Sequence, residues 1–342
     1  MTKPVLAGLL CGCALAAAAF LAAGSGEART GPLIAFVRSD PQFATSHLFV
    51  MNPDGSGLQQ VTRANTNDGN ATWAPDGRRL VFERMTGLSH VDIYVVAADG
   101  SGLHRLTKTP GAWTPAWSPD GRRIAYGSIR HLFVMDADGR HKQALTTGFP
   151  ARPAWPSWSP DGKRIAFSAG AGLVYVVNAD GSGLRRLARG GALGCPAWSP
   201  DGRWVAFAEM PFHYASLYVI DSRRPAAREH RLTRHAYTES GYAWSPNSRG
   251  LIYARERHGG VFTIGLDGSH RRLTANPLRP DLSAGGFSWS SNRRLIAYAS
   301  DVTGAGDIYV MNANGRGQRQ LTQGPDVDGA PRWSLSPRTE SC

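Results

Sequence analysis

Little in this sequence is charged, and little of it is patterned for helices. Charged residues make up 19% of the 342, and no sustained helical spacing of apolar residues appears after the N-terminus. Coiled coils and multi-span membrane proteins are excluded on that ground. Cysteine is scarce. Of four, Cys11 and Cys13 lie in an apolar leader, which leaves Cys195 and Cys342. A disulfide framework is therefore out, and these two either pair in an oxidising compartment or stay as thiols. Paired-cysteine metal spacing is missing, as are His-Glu-x-x-His, Gly-x-Ser-x-Gly and Gly-x-x-x-x-Gly-Lys-Ser/Thr. The sequence thus shows no zincin helix, nucleophile elbow or phosphate loop. No cofactor and no metal is expected, and no catalytic residue stands out.

The leader has a pattern of its own. Lys3 precedes an apolar run from Val5 to Ala23, and small residues follow at Gly24, Ser25, Gly26 and Ala28. This is the layout of a secretory signal peptide, expected over residues 1–28, with the folded part at 29–342. Two alternatives stay open. The run is long enough for an uncleaved membrane anchor, and Leu10-Cys11-Gly12-Cys13 has the look of a lipobox. The chain is expected outside the cytoplasm, secreted or periplasmic. Its net charge is +12, and it stays +12 when Lys3 and Glu27 leave with the leader. Anionic cell-envelope polymers become candidate partners. Nucleic acid is not expected in an exported protein, and a membrane only through a retained leader.

What is abundant is turns and tryptophan, and the tryptophans are periodic. Trp-Ser-Pro-Asp-Gly, intact or degraded, recurs at Trp73, Trp117, Trp158, Trp198, Trp244, Trp289 and Trp333. The spacings run from 40 to 46 residues. After each motif comes a short apolar run such as Ile124-Ala125-Tyr126, then a second such as Leu132-Phe133-Val134-Met135. A turn follows, as at Asp138-Gly139, and a third run ends in Leu145-Thr146 or its counterpart. Short β-branched and aromatic runs bounded by Asp-Gly are strands joined by hairpins. Four strands in about 43 residues is the period of a β-propeller blade. We call the strands a (ending on Trp), b, c and d.

The expected fold is all-β, a seven-bladed propeller of four-stranded blades. The repeat begins at strand b, at Leu33, and its last strand a ends at Trp333. The economical solution is a ring closed by the C-terminal strand, which completes the first blade and leaves no orphan edge. A monomer is expected.

These residues resemble the WD40-like Trp-Ser-Pro-Asp-Gly (PD40) repeat of the TolB-like propeller family over about residues 31–337. TolB itself joins an α/β domain to a six-bladed propeller and works in the periplasm with a peptidoglycan-associated lipoprotein. This chain is read as the propeller without that domain. The resemblance implies an exported, non-catalytic binding or scaffold protein with protein or envelope partners. Related repeats occur in prolyl-oligopeptidase-like peptidases, and a distant relative is the oligogalacturonate lyase family. The alternative is therefore a propeller lyase or hydrolase that acts on an anionic polysaccharide or a peptide at the channel mouth.

Two faces are candidate sites. The d–a and b–c loops depart most from the repeat, so a specific site is expected at that mouth. Asp68, Trp113, Arg152, Trp155, Glu239 and Asp328 fall there, and the aromatic run from Met210 to Tyr214 lies in a nearby loop. The opposite face collects the a–b and c–d turns, with basic residues after them. Arg185, Arg186, Arg271 and Arg272 represent an anion-binding face, and the blander reading is solvated arginine. The seven repeat tryptophans are expected to wedge between blades.

Overall fold

Each apolar run becomes a strand because Asp-Gly and Ser-Pro-Asp-Gly close the turns between them. In the computed structural model the described residues are 31–87, 90–108, 111–147, 152–170, 173–188, 195–209, 216–224, 228–233, 239–255, 260–274, 286–302 and 304–334. The leader lies outside them. The chain divides into Met1–Gly31 and Pro32–Cys342, and every strand belongs to the second unit.

Among the described residues every regular element is a strand. In chain order they are β1 (Ile34–Ser39), β2 (Ser46–Met51), β3 (Gln59–Gln60), β4 (Asn67–Trp73), β5 (Arg79–Thr86), β6 (His90–Ala97) and β7 (His104–Arg105). Next come β8 (Ala112–Trp117), β9 (Arg123–Ser128), β10 (Leu132–Asp136), β11 (Gln143–Ala144), β12 (Pro153–Trp158), β13 (Arg164–Ala169), β14 (Leu173–Asn178) and β15 (Arg185–Arg186). They continue as β16 (Ala197–Trp198), β17 (Trp204–Glu209), β18 (Ser216–Asp221), β19 (His230–Arg231), β20 (Glu239–Trp244), β21 (Gly250–Arg255), β22 (Val261–Gly265) and β23 (His270–Arg272). The last are β24 (Ser288–Trp289), β25 (Leu295–Ser300), β26 (Asp307–Asn312), β27 (Arg319–Gln320) and β28 (Val327–Trp333).

Five sheets hold four antiparallel strands each, in a-b-c-d order, from β8–β11 to β24–β27. The remaining sheet has eight strands, in two paths that meet only where Ser46 pairs with Asn67. One path is β4-β5-β6-β7. In the other, β28 pairs antiparallel with β1, setting Trp333 opposite Ile34, and β2 and β3 follow. This is the architecture of a propeller.

The turn chemistry explains the motif. Ser118 Oγ donates to Asp120 Oδ1 at 2.6 Å, and Asp120 accepts the Arg122 N–H. Gly121 takes a φ of 69°, which a side chain would resist. In the c–d hairpin, Asp54 Oδ1 accepts from both Ser56 N and Ser56 Oγ, so its carboxyl is held below the usual carboxylate range.

Packing follows the repeat. The aromatic of strand b faces that of strand c in register, as in Tyr126–Phe133 at 5.3 Å and Phe167–Tyr175 at 5.6 Å. Such pairs contribute about 0.5–1.5 kcal/mol beyond area burial. Trp158 Nε1 donates to Ala116 O, and Trp244 Nε1 to Ala197 O, each reaching the preceding sheet. Six of the seven repeat tryptophans are buried, and Trp73 is half-buried. The buried threonine of each Leu-Thr accepts an N–H from strand c, as in Leu132 N to Thr146 Oγ1 at 2.9 Å.

A further contact recurs between sheets. A side chain of strand d reaches the c–d turn of the next sheet: Gln59 Nε2 to Asp99 O, Gln143 Nε2 to Asp180 O and Arg185 Nη2 to Ser222 O. Arg319 Nη2 makes the same reach to Pro53 O, from the end of the chain to its beginning.

Candidate functional site

Strand a carries a β-bulge three residues before its tryptophan. The bulged residue has positive φ in five strands: Asn70 (48°), Thr114 (49°), Trp155 (56°), Gly241 (50°) and Ala330 (52°). The bulge turns the amino-terminal half of strand a away from the regular ladder, and the residues expected at the mouth lie there.

Their roles differ. Asp68 and Asp328 are almost fully buried, at 1% exposure each. Asp68 gives both oxygens to Arg84, at 2.6 and 2.8 Å, and Asp328 gives both to Arg38, at 2.6 and 2.7 Å. The sequence pattern suggests accessible acids ringing a channel. Strand register instead sets each opposite an arginine of strand b, because these positions pair across β4–β5 and β28–β1. The carboxylates raise the pKa of both guanidiniums. Each arginine also lies over an aromatic ring of strand c, Arg38 over Phe49 at 4.9 Å and Arg84 over Tyr94 at 5.0 Å. Glu239 pairs in register with Arg255, which lies over Phe262 at 4.5 Å. The acid–arginine–aromatic contact therefore occurs on two a-b-c sets, and in the third the strand register places the same residue types opposite one another. Sequence reading missed its arginines, although each stands two residues after the aromatic of strand b.

The aromatic residues come together in neighbouring sheets. Trp113 Nε1 donates to Pro153 O at 3.0 Å, and the Arg152 guanidinium lies over the Trp113 ring at 4.7 Å. Trp113 packs over Gly127, where an added Cβ would come within 2.6 Å of the indole nitrogen. Trp155 donates its N–H to Thr114 Oγ1 at 2.9 Å, and its residue is 39% exposed. Thr114 in turn donates its N–H to Glu83, which also accepts from Asn70. Burial pushes the Glu83 carboxyl up, and these two hydrogen bonds oppose the shift.

The four arginines expected on the turn face lie in strand d, Arg185 and Arg186 in β15 and Arg271 and Arg272 in β23. The hairpin closes at Asp-Gly several residues earlier, so strand d has begun by the time they are reached. Arg185 is engaged with Ser222 O, and Arg272 donates to Thr274 O. Other basic side chains cover tryptophans of the next sheet: Arg79 over Trp117, Arg123 over Trp158 and Arg164 over Trp198, at 4.6–5.1 Å. A cleft of about 250 Å³ opens on that side, lined in part by Arg79, His104 and Asp138, away from the bulges. Cys195 is disulfide-bonded. Cys342 and the run from Met210 to Tyr214 lie outside the described residues. Among the described residues, no three His, Cys, Asp or Glu side chains are grouped to hold a metal ion.

Residues 112–277 match the family described as PD40: TolB beta propeller domain. The chain is similar to TolB-like β-propeller proteins. The Tol-Pal system protein TolB of Anaeromyxobacter dehalogenans (strain 2CP-C) is 32% identical over 91 residues, which cover 27% of this chain and 20% of that protein. The solved TolB of Acinetobacter baumannii aligns with a TM-score of 0.55 at 18% identity, over 88% of this chain and 66% of its own. An oligogalacturonate lyase in complex with manganese aligns at 0.63 and 15% identity, over 85% of this chain and 84% of its own. At these identities the structures share the fold with this TolB-like chain. The first match spans about a fifth of its curated relative's length.

Proposed function

We propose that this TolB-like propeller is an exported, non-catalytic binding or scaffold module of the cell envelope, with a protein partner at its mouth. The observation that carries the reading is the state of the mouth carboxylates. Asp68 and Asp328 each give both oxygens to an arginine, so each is buried, doubly hydrogen-bonded and held in place. Carboxylates held this way favour recognition by shape and aromatic contact over proton transfer. Trp113, Arg152 and Trp155 supply residue types that dominate protein recognition.

The scaffold we infer is a seven-bladed ring closed by β28, with residues 1–28 as a signal peptide. Four contacts support closure. Trp333 shares an apolar cluster with Ala297 and Ile308, and Trp333 N donates to Ser288 Oγ. Trp73 Nε1 donates to Arg332 O, and Arg319 reaches Pro53 O.

The test is calorimetric titration of the mature chain with purified peptidoglycan-associated lipoprotein, beside Trp155→Ala and Arg152→Ala. Binding that both substitutions weaken supports the reading. Release of unsaturated products from oligogalacturonate, or peptide hydrolysis, by the same preparation overturns it in favour of a propeller enzyme.

A further inference from the structure

We propose that the turn side of the sheets β12–β15 and β16–β19 holds a binding site for a phosphate group, built by Arg164, Arg185, Arg223 and Arg224. This site uses a different part of the fold from the mouth and stands independently of the proposed function.

The first observation is a substitution within the repeat. The c–d hairpin places an acid followed by glycine at Asp54-Gly55, Asp99-Gly100, Asp138-Gly139, Asp180-Gly181 and Asp267-Gly268. After β18 the same two positions are Arg223 and Arg224. The hairpin itself is kept: Arg224 N donates to Asp221 O, as Gly181 N does to Asn178 O. At one turn, then, a carboxylate and a neutral residue become two exposed cations.

The second observation is what faces that turn. Arg185 Nη2 and Arg164 Nη1 both donate to the Ser222 carbonyl, at 3.0 and 3.2 Å. Two guanidiniums converge on one oxygen, and neither has a carboxylate within 4.0 Å among the described residues. Burial, and then the charge of Arg164, depress the pKa of Arg185. The nearby acids are already engaged. Asp221 interacts with Arg203 and Arg224 and accepts the Arg223 N–H. Asp161 accepts from Ser159 Oγ and Lys163 N, and it lies close enough to feel the charge of Arg164, which leaves Arg185 as the guanidinium with no acid in that range.

The contact between sheets does not require this charge. Gln59 and Gln143 make the equivalent reach with a neutral amide. Where arginine is used at the other such position, Arg319, Asp54 of the facing turn lies close enough to feel its charge. Opposite Arg185 the position of that acid is held by Arg223. The donors are also fixed in place. Arg164 stacks on Trp198 at 4.6 Å, and Ser222 is held by its N–H to Arg203 O and its Oγ to Gly202 O. Planar guanidinium forks held this way suit the several oxygens of a phosphate group, which would also relieve the repulsion between them.

The experiment uses the full mature chain and substitutions the repeat already tolerates. Arg185→Gln keeps the contact as Gln59 and Gln143 make it, and Arg223→Asp with Arg224→Gly restores the common turn. The probes are inorganic phosphate by titration calorimetry, and vesicles of phosphatidylglycerol or phosphatidylcholine by co-sedimentation. The expected result is saturable binding by wild type, weakened at least about tenfold in the triple variant, with an unchanged melting temperature. Arg271→Gln, on a distant edge strand, should bind as wild type does. Binding of inorganic phosphate alone identifies a soluble phosphate as the source. Additional binding of phosphatidylglycerol but not phosphatidylcholine vesicles, competed by phosphate, identifies a lipid headgroup. Should the triple variant melt early, Arg223→Gln with Arg224→Gln carries the same test. Wild-type chain that binds neither probe, charge-removing variants that bind as wild type does, or equal loss in Arg271→Gln overturns the site.

Discussion

Trp73 donates its indole N–H to the backbone carbonyl of Arg332 at 2.9 Å, across 259 positions of sequence. The acceptor belongs to β28, whose pairing with β1 also brings Asp328 to Arg38. Deleting residues 326–342 removes this strand. Arg38 then loses the carboxylate that holds both its nitrogens, and β1 is left with an open edge. The expected product aggregates or lacks a cooperative melt. A soluble truncation with a single sharp transition by calorimetry would show that β28 does not hold the ring.

The wedge tryptophans set the stability between sheets. Trp158→Ala or Trp244→Ala should each cost about 3–5 kcal/mol by denaturant unfolding, as large-to-small changes in a packed site. Arg123→Ala, which removes only the cation over Trp158 at 4.9 Å, should cost about 0.5–1 kcal/mol. Similar losses for Trp158→Ala and Arg123→Ala would mean the indole is valued for its surface stacking and not for its burial.

The strands and the hairpins were legible because each rests on local chemistry repeated many times. Asp-Gly closes the c–d hairpin at Asp54, Asp99, Asp138, Asp180 and Asp267, and period alone puts Trp117 and Trp158 in equivalent places. The site was less legible because its contacts depend on register. Asp68 and Arg84 are 16 positions apart, and Asp328 and Arg38 are 290 apart. Neither residue announces its partner until β4 is laid on β5 and β28 on β1. The bulge at Trp155 was invisible for a related reason: tryptophan is a poor indicator of positive φ, and only its equivalence with Asn70 and Gly241 reveals the position. Which basic residues pack was not legible either, because it depends on the neighbouring sheet: Arg79, Arg123 and Arg164 each lie over a tryptophan of the next sheet.

The threonine that follows six of the seven d strands has a defined duty. Thr146 is buried and its Oγ1 accepts the Leu132 N–H. Thr146→Val keeps the shape and removes the acceptor, so it should destabilise the fold by about 1–3 kcal/mol through an unsatisfied buried donor. Hydrogen exchange should report the change at the Leu132 amide. An unaltered exchange rate there would mean the hydroxyl is not the acceptor that protects it.

Glu83 should make stability depend on pH, in a direction its surroundings fix. Burial raises its carboxyl above the ordinary value of 4.5, against the opposing hydrogen bonds from Thr114 N–H and Asn70. A carboxyl with a raised folded pKa binds its proton more tightly in the folded state. Its contribution is therefore complete below the unfolded value and is lost as pH rises through the window up to the folded value. Glu83→Gln replaces it with a neutral group of the same shape and removes that dependence. At low pH both proteins present a neutral group, and the difference between variant and wild type should move in favour of the variant as pH rises from roughly 4 towards neutrality. Denaturant melts of both proteins across that range measure it. If the difference instead moves in favour of wild type, the ionised carboxylate is stabilised by Thr114 and Asn70 more than burial penalises it, and the bridge between the two bulges depends on the negative charge.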